Sequence, residues 1–184
     1  MLENDTVIYA MAEACKILAI DTRVKMAGFI SPNPKAICST EARFKPISMY
    51  ALDRNPFQPH LLAFGGAGSS KAGMIDLRMI RATKCTYGDY SVITNIRNFS
   101  SPDSDQQITP YDFTLTPSTT DLKFSKTGEN LLVSNSPGKI YLYDTNFSGP
   151  PLNCYTGHRN SDTVKSVSFY GDNDEFMIFF KNIS

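Results

Sequence analysis

Apolar and polar residues alternate most clearly in the second half of the chain. In Asp121-Leu-Lys-Phe-Ser125, Leu122 and Phe124 take turns with polar neighbours, which predicts a strand with one buried face. Lys126-Thr-Gly-Glu-Asn130 is a short turn around Gly128, and Leu131-Leu-Val-Ser134 is an apolar strand, so the two strands make a hairpin. The Pro137-Gly138 pair marks the next tight turn, and Ile140-Tyr-Leu-Tyr-Asp144 is a third strand, rich in aromatics. After a polar loop containing Gly149-Pro-Pro151, Leu152-Asn-Cys-Tyr155 forms a fourth, outer strand. The pattern then restarts: Val164 to Tyr170 and Phe176 to Phe180 read as strands, with Gly171-Asp-Asn-Asp-Glu175 as the turn between them.

The same template fits upstream. Ile47 to Leu52 and His60 to Phe64 are strands separated by a Pro- and Asn-containing turn, and Gly65-Gly-Ala-Gly68 leads to Gly73-Met-Ile-Asp-Leu-Arg78. Asp5 to Ala10 and Lys16 to Arg23 form a comparable pair, with a short helical turn over residues 11–18 as the alternative. Residues 31–46 and 81–120 are polar and read as insertions or outer-strand loops. The units run approximately over 1–23, 47–78, 121–158 and 159–184, and in three of them a strand ends in an apolar residue followed by aspartate: Asp21, Asp76 and Asp144. Repeated four-stranded units of this kind predict an all-β fold, a partial β-propeller of about three to four blades that does not close.

Composition narrows the function. Eighteen Lys+Arg balance 18 Asp+Glu, so no general field gathers polyanions, and neither nucleic acid nor a membrane surface is expected as a partner. Cys15, Cys38, Cys85 and Cys154 are widely spaced, and His60 and His158 are the only histidines. No zinc framework, other metal site or cofactor is expected. The first residues lack the basic and apolar regions of a signal peptide, and no apolar stretch approaches the roughly 18 residues of a membrane span. The expected setting is reducing and intracellular, nuclear or cytoplasmic.

The strand pattern, together with Leu122 to Ser134, Ile140 to Asp144 and Gly157-His-Arg-Asn-Ser-Asp-Thr-Val-Lys-Ser-Val-Ser-Phe-Tyr-Gly171, resembles the WD-repeat family. Within it, the segments are similar to the substrate receptors called DDB- and cullin-4-associated factors, in the branch around factor 8 and factor 6. Roughly half the chain matches well and the rest in outline. The resemblance implies a non-catalytic subunit that docks the DDB adaptor of the cullin-4 ligase and brings a protein substrate for ubiquitination. It also implies that Asp144 and Gly157 hold structural repeat positions, and that His158 supports a blade by hydrogen bonding to neighbouring strands.

In that family a blade's third strand ends in a W-D-x-R-like sequence whose arginine faces the adaptor. Ile20-Asp21-Thr22-Arg23 and Ile75-Asp76-Leu77-Arg78 carry the D-x-R part. Chance gives about half a match in a chain of this composition, and two are present, each after a strand. Residues two apart on a strand share a face, so aspartate and arginine point the same way if the strand continues. The resemblance makes Asp21, Arg23, Asp76 and Arg78 the adaptor-binding candidates; the alternative is a local surface contact worth about 0 to 1 kcal/mol. Isoleucine stands where the motif often has an aromatic residue, the chain has no tryptophan, and Asp144-Thr-Asn146 has no arginine. No docking through the third unit is expected.

Two other readings compete: a generic WD-repeat scaffold without a ligase role, and a nucleotide-binding protein using the glycine-rich stretch from Gly65 to Lys71. Against the phosphate-loop pattern, Ser70 stands at the second glycine and Ala72 at the magnesium-ligating hydroxyl. A strand rather than a helix follows, so the glycines read as an inter-strand turn. At roughly 40 to 45 residues per blade, 184 residues supply three to four blades. The length therefore suggests a truncated product, splice form or partial gene model.

Overall fold

Residues 7–12, 16–23, 35–39, 49–66, 71–79, 81–85, 88–92, 96–102, 118–136, 138–157, 166–171 and 175–179 are described by a computed structural model, and fifteen strands form among them. Strands β1 (Val7–Ala12), β2 (Lys16–Asp21) and β3 (Lys35–Ser39) make a three-stranded antiparallel sheet in that order. Next come β4 (Met49–Arg54), β5 (Leu61–Gly66), β6 (Lys71–Asp76), a single 3-10 turn at Leu77–Met79, β7 (Arg81–Cys85), β8 (Gly88–Val92) and β9 (Ile96–Ser100). Their sheet has the order β4-β5-β6-β9, with β7 and β8 paired as a separate hairpin between the third and fourth strands. A second four-stranded sheet follows, with strands β10 (Ser118–Phe124), β11 (Asn130–Ser136), β12 (Lys139–Asp144) and β13 (Asn153–Tyr155) in chain order. The last pair is β14 (Ser166–Tyr170) with β15 (Glu175–Phe179).

The two four-stranded sheets are buried on both faces, which is why their second strands read as apolar runs rather than alternations. In β11, Leu131 and Val133 point to one side, where they meet Leu122, Phe124, Tyr141 and Tyr143 of their own sheet and Ala51, Ala63, Ala72, Met74 and Phe99 of the preceding one. Leu132 points the other way and packs with Ile140 against Val167, Phe169 and Phe176 of β14 and β15. Strand β5 divides its residues in the same manner: Ala63 joins the first of these cores, while Leu62 and Phe64 pack with Ile75, Ile17 and Tyr9. A period of two thus feeds two separate cores from each strand.

Polar ties cross the junctions as well. Asp53 on β4 accepts the backbone N–H of Phe124 at 2.9 Å and the Lys123 ammonium at 3.1 Å. Asp121 on β10 accepts the N–H of Val167 and the Ser166 hydroxyl, both at 2.8 Å. Each innermost strand therefore hands a carboxylate to the backbone of the next one. Both β4 and β10 also carry an irregularity near their start, between Met49 and Ala51 and between Thr119 and Asp121, which gives the two units matching geometry beyond their sequence pattern.

The structure adds detail to three sequence readings. Residues 81–120, read as an insertion or outer-strand loop, hold an inserted hairpin of β7 and β8, and β9 as the outer strand of the second sheet. Its sequence Ile-Arg-Asn-Phe-Ser is mostly polar because, of its described side chains, only Phe99 is buried in the core. Likewise 31–46 contains the outer strand β3. Finally, the helical alternative over 11–18 gives way to strands up to Ala12 and from Lys16; residues 13–15 lie outside the described residues.

Candidate functional site

Strands β4, β6, β10 and β12 all finish at one end of their sheets, because each is antiparallel to the strand between. At this end β6 stops at Asp76 and the chain turns through Leu77–Met79. The Asp76 carboxylate accepts the backbone N–H of Arg78 at 2.9 Å, closing the turn, and also accepts the Arg78 side chain from Nε (3.0 Å) and Nη2 (2.6 Å). The Arg78 side-chain hydrogen bonds, with a smaller contribution from its backbone N–H, hold the Asp76 carboxyl down at about 2 against burial, which acts in the opposite direction. The arginine side chain remains 66% exposed and the aspartate 23%. Its fork is oriented by a local partner yet faces solvent.

Asp144 closes its turn in the same way, accepting the N–H of Asn146 at 2.8 Å. The aspartate's backbone role therefore persists where no arginine follows. Asp21 ends β2, which is the second strand of its sheet rather than the third. The Arg54 guanidinium at the end of β4 lies 5.7 Å from the ring centroid of Tyr9 in β1, a contact between the first two sheets. Thr22 and Arg23 follow β2 and are both exposed.

Behind these turns lies a knot that sequence reasoning missed. Asn55, 1% exposed, donates from Nδ2 to the Gly128 carbonyl at 2.8 Å, while its Oδ1 accepts the N–H groups of Phe57 and Gln58. The Thr145 hydroxyl donates to the same Gly128 carbonyl at 2.8 Å, and Arg97 on β9 donates to the Thr145 carbonyl. The turn after β4, the turn after β10 and the turn after β12 thus converge on one carbonyl. The available signal was an asparagine directly before Pro56, a turn residue able to satisfy backbone donors with its own side chain.

No family model matches the sequence. Among solved structures, the β-propeller domain of Cps50 (Swd1) from Myceliophteria thermophila is similar over 94% of this chain, with a TM-score of 0.57 and 13% identity. A chain of the COPII outer coat vertex on membranes is similar over 95%, with a TM-score of 0.62 and 11% identity. The fold is that of an open β-propeller. At these identities the likeness is one of fold, and this chain spans 45% and 40% of the lengths of those two chains.

In the propeller, β4 and β10 are innermost blade strands, and Asp76 and Asp144 close third strands. Gly157 has a φ of 88° and is exposed; His158 lies outside the described residues. The glycine-rich stretch belongs to the β5–β6 hairpin of one blade, with a strand on either side and residues 67–70 outside the described residues. Two glycines serve packing: a Cβ on Gly65 would fall 2.4 Å from Thr119 Cγ2 of the next blade, and one on Gly73 would fall 2.5 Å from the Phe64 ring. His60 sits in the turn before β5, where its carbonyl accepts the N–H of Leu77 at 2.8 Å. Among the described residues no group of three His, Cys, Asp or Glu side chains is arranged to hold a metal ion, and no helix is long and apolar enough to cross a membrane.

Proposed function

We propose that this propeller is a non-catalytic protein-binding module resembling a cullin-4 ligase substrate receptor, with the turns that carry Arg23 and Arg78 docking the DDB adaptor and another surface holding a protein substrate. Such a receptor makes and breaks no bonds; it raises the effective concentration of substrate lysines near the ubiquitin-loaded enzyme. The observation that carries this reading is the Asp76–Arg78 lock, an exposed fork oriented by a carboxylate on a short turn. On this reading the protein works in a reducing intracellular setting, with neither nucleic acid nor a membrane as its partner. The test is retention of the DDB adaptor on immobilised protein. Wild type is expected to retain it and Arg23→Ala/Arg78→Ala to lose most of it; equal retention would sink the assignment.

The turn at Asp144 favours a second reading. There the aspartate caps Asn146 without any arginine, as it would in a propeller whose strand-end aspartates are purely architectural. That makes the module a general WD-repeat scaffold without a ligase role, and unbiased co-purification should then recover protein partners but no cullin.

A further inference from the structure

Beside the Asp76–Arg78 turn, the blade formed by β4, β5, β6 and β9 has a groove of about 300 Å³ lined by Leu61, Met74, Ile75, Asp76, Met79 and Arg97. Leu61, Met74, Ile75 and Met79 form its apolar wall, Asp76 and Arg97 its polar one, and Met79 at its rim is 50% exposed. Two of the lining residues are held by hydrogen bonds. Leu61 is tied to the preceding turn by its N–H to the Gln58 carbonyl at 2.9 Å, and Arg97 is held by the Thr145 carbonyl of the next blade. The volume lies at the lower bound of small-molecule sites, which suits one or two protruding side chains rather than a cofactor.

The charge next to it has a direction. Asp76 engages the Nε and Nη2 side of the Arg78 fork, two of the five donors a guanidinium carries. The edge formed by Nη1 and the second Nη2 hydrogen has no partner among the described residues and lies on an exposed side chain. A second carboxylate fits that edge in the same bidentate manner. An apolar anchor next to an oriented arginine is a pairing found at interface hot spots, where arginine is enriched.

We propose that this groove receives a short acidic–apolar segment of a partner protein, a large aliphatic or aromatic side chain entering beside Met79 while a neighbouring carboxylate takes the open edge of Arg78. The proposal deepens the docking reading and rests on its assignment of this end as the one that meets a partner. The groove selects the anchor by shape, and Arg78 selects the flanking charge. Lysine at 78 keeps the charge but not the fork, so the two contributions are separable.

The test uses the full chain with its methionine methyl groups labelled with carbon-13 and three octapeptide probes. The first carries a Glu-Ala-Leu core between Gly and Ser residues; the others replace Glu by Gln or Leu by Ser. The expected result is a saturable shift of the Met74 and Met79 methyl resonances with the first peptide, at least fivefold weaker with either control. Arg78→Lys is expected to lower affinity for the first peptide at least fivefold, and its remaining methionine signals report that it is folded. Unmoved Met79 signals, equal response to all three peptides, or undiminished binding by Arg78→Lys would each overturn the proposal. Adaptor retention without a Met79 response leaves the docking reading standing and this inference refuted. A selective Met79 response without adaptor retention does the reverse.

Discussion

Asn55 and Gly128 are interlocked across two blades. The asparagine amide donates to the glycine carbonyl at 2.8 Å, and its carboxamide occupies the space a Cβ on Gly128 would need. Gly128 also holds a φ of 74°, which costs a side-chain-bearing residue about 1–2 kcal/mol. With overlap adding about 1–2 kcal/mol, Gly128→Ala is expected to destabilise by about 2–4 kcal/mol, read as a lower urea midpoint at unchanged slope. Asn55→Ala leaves the Phe57 and Gln58 donors unmet and should cost about 1–3 kcal/mol. The double variant should fall short of the sum, because the two residues share one contact.

Neighbouring leucines on β11 belong to different cores. Leu131→Ala and Leu132→Ala, both at fully buried positions, should each cost about 2–5 kcal/mol. Native-state hydrogen exchange distinguishes them: Leu132→Ala should speed exchange in β14 and β15, against which Leu132 packs, while Leu131→Ala should do so in β4 to β6. Identical exchange patterns would contradict the division of the strand into two faces.

The Asp76 carboxyl titrates at about 2 rather than 3.8, so its pairing stabilises the fold above about pH 4 and is lost as pH falls through 2. Because both partners reach solvent, the contribution to stability is small. The carboxyl carbon resonance of Asp76 should show a midpoint near 2 in wild type, moving up toward the ordinary value in Arg78→Ala. An unmoved midpoint in the variant would show that the arginine is not its cause.

Gly65 faces Thr119, so Gly65→Ala should destabilise by about 1–3 kcal/mol through overpacking. Thr119→Ser removes the nearest methyl and should recover part of that loss while keeping the hydroxyl that donates to Asn135. The hairpin reading further expects no thermal stabilisation of wild type by millimolar nucleotide; a clear rise in melting temperature would restore the phosphate-binding alternative.

Where strands carry bulky residues between clear turns, as from Asp121 to Tyr155, the alternation and turn residues located the elements to within three residues, the start of β10 at Ser118 being the largest miss. The outer strands β3 and β9 and the hairpin β7–β8 escaped because backbone pairing, not an apolar pattern, defines them. Asp76 and Arg78 were legible as a motif, but the hydrogen bonds that orient the fork depend on the 3-10 turn after it. The Asn55–Gly128–Thr145 knot was invisible because it joins residues 73 and 17 positions apart.

The core between the two four-stranded blades has a graded thickness. From the inner strands outward, one face presents Ala51, Ala63, Ala72 and Met74, and finally Phe99; the other presents Leu122 and Phe124, Leu131 and Val133, and then Tyr141 and Tyr143. Small residues let the inner strands approach, while Phe99 and Tyr143, with ring centroids 5.3 Å apart, hold the outer strands away. The seam is a wedge, and successive wedges fan the sheets around an axis instead of stacking them flat. Curvature in this protein is therefore set by side-chain volume as a function of radius.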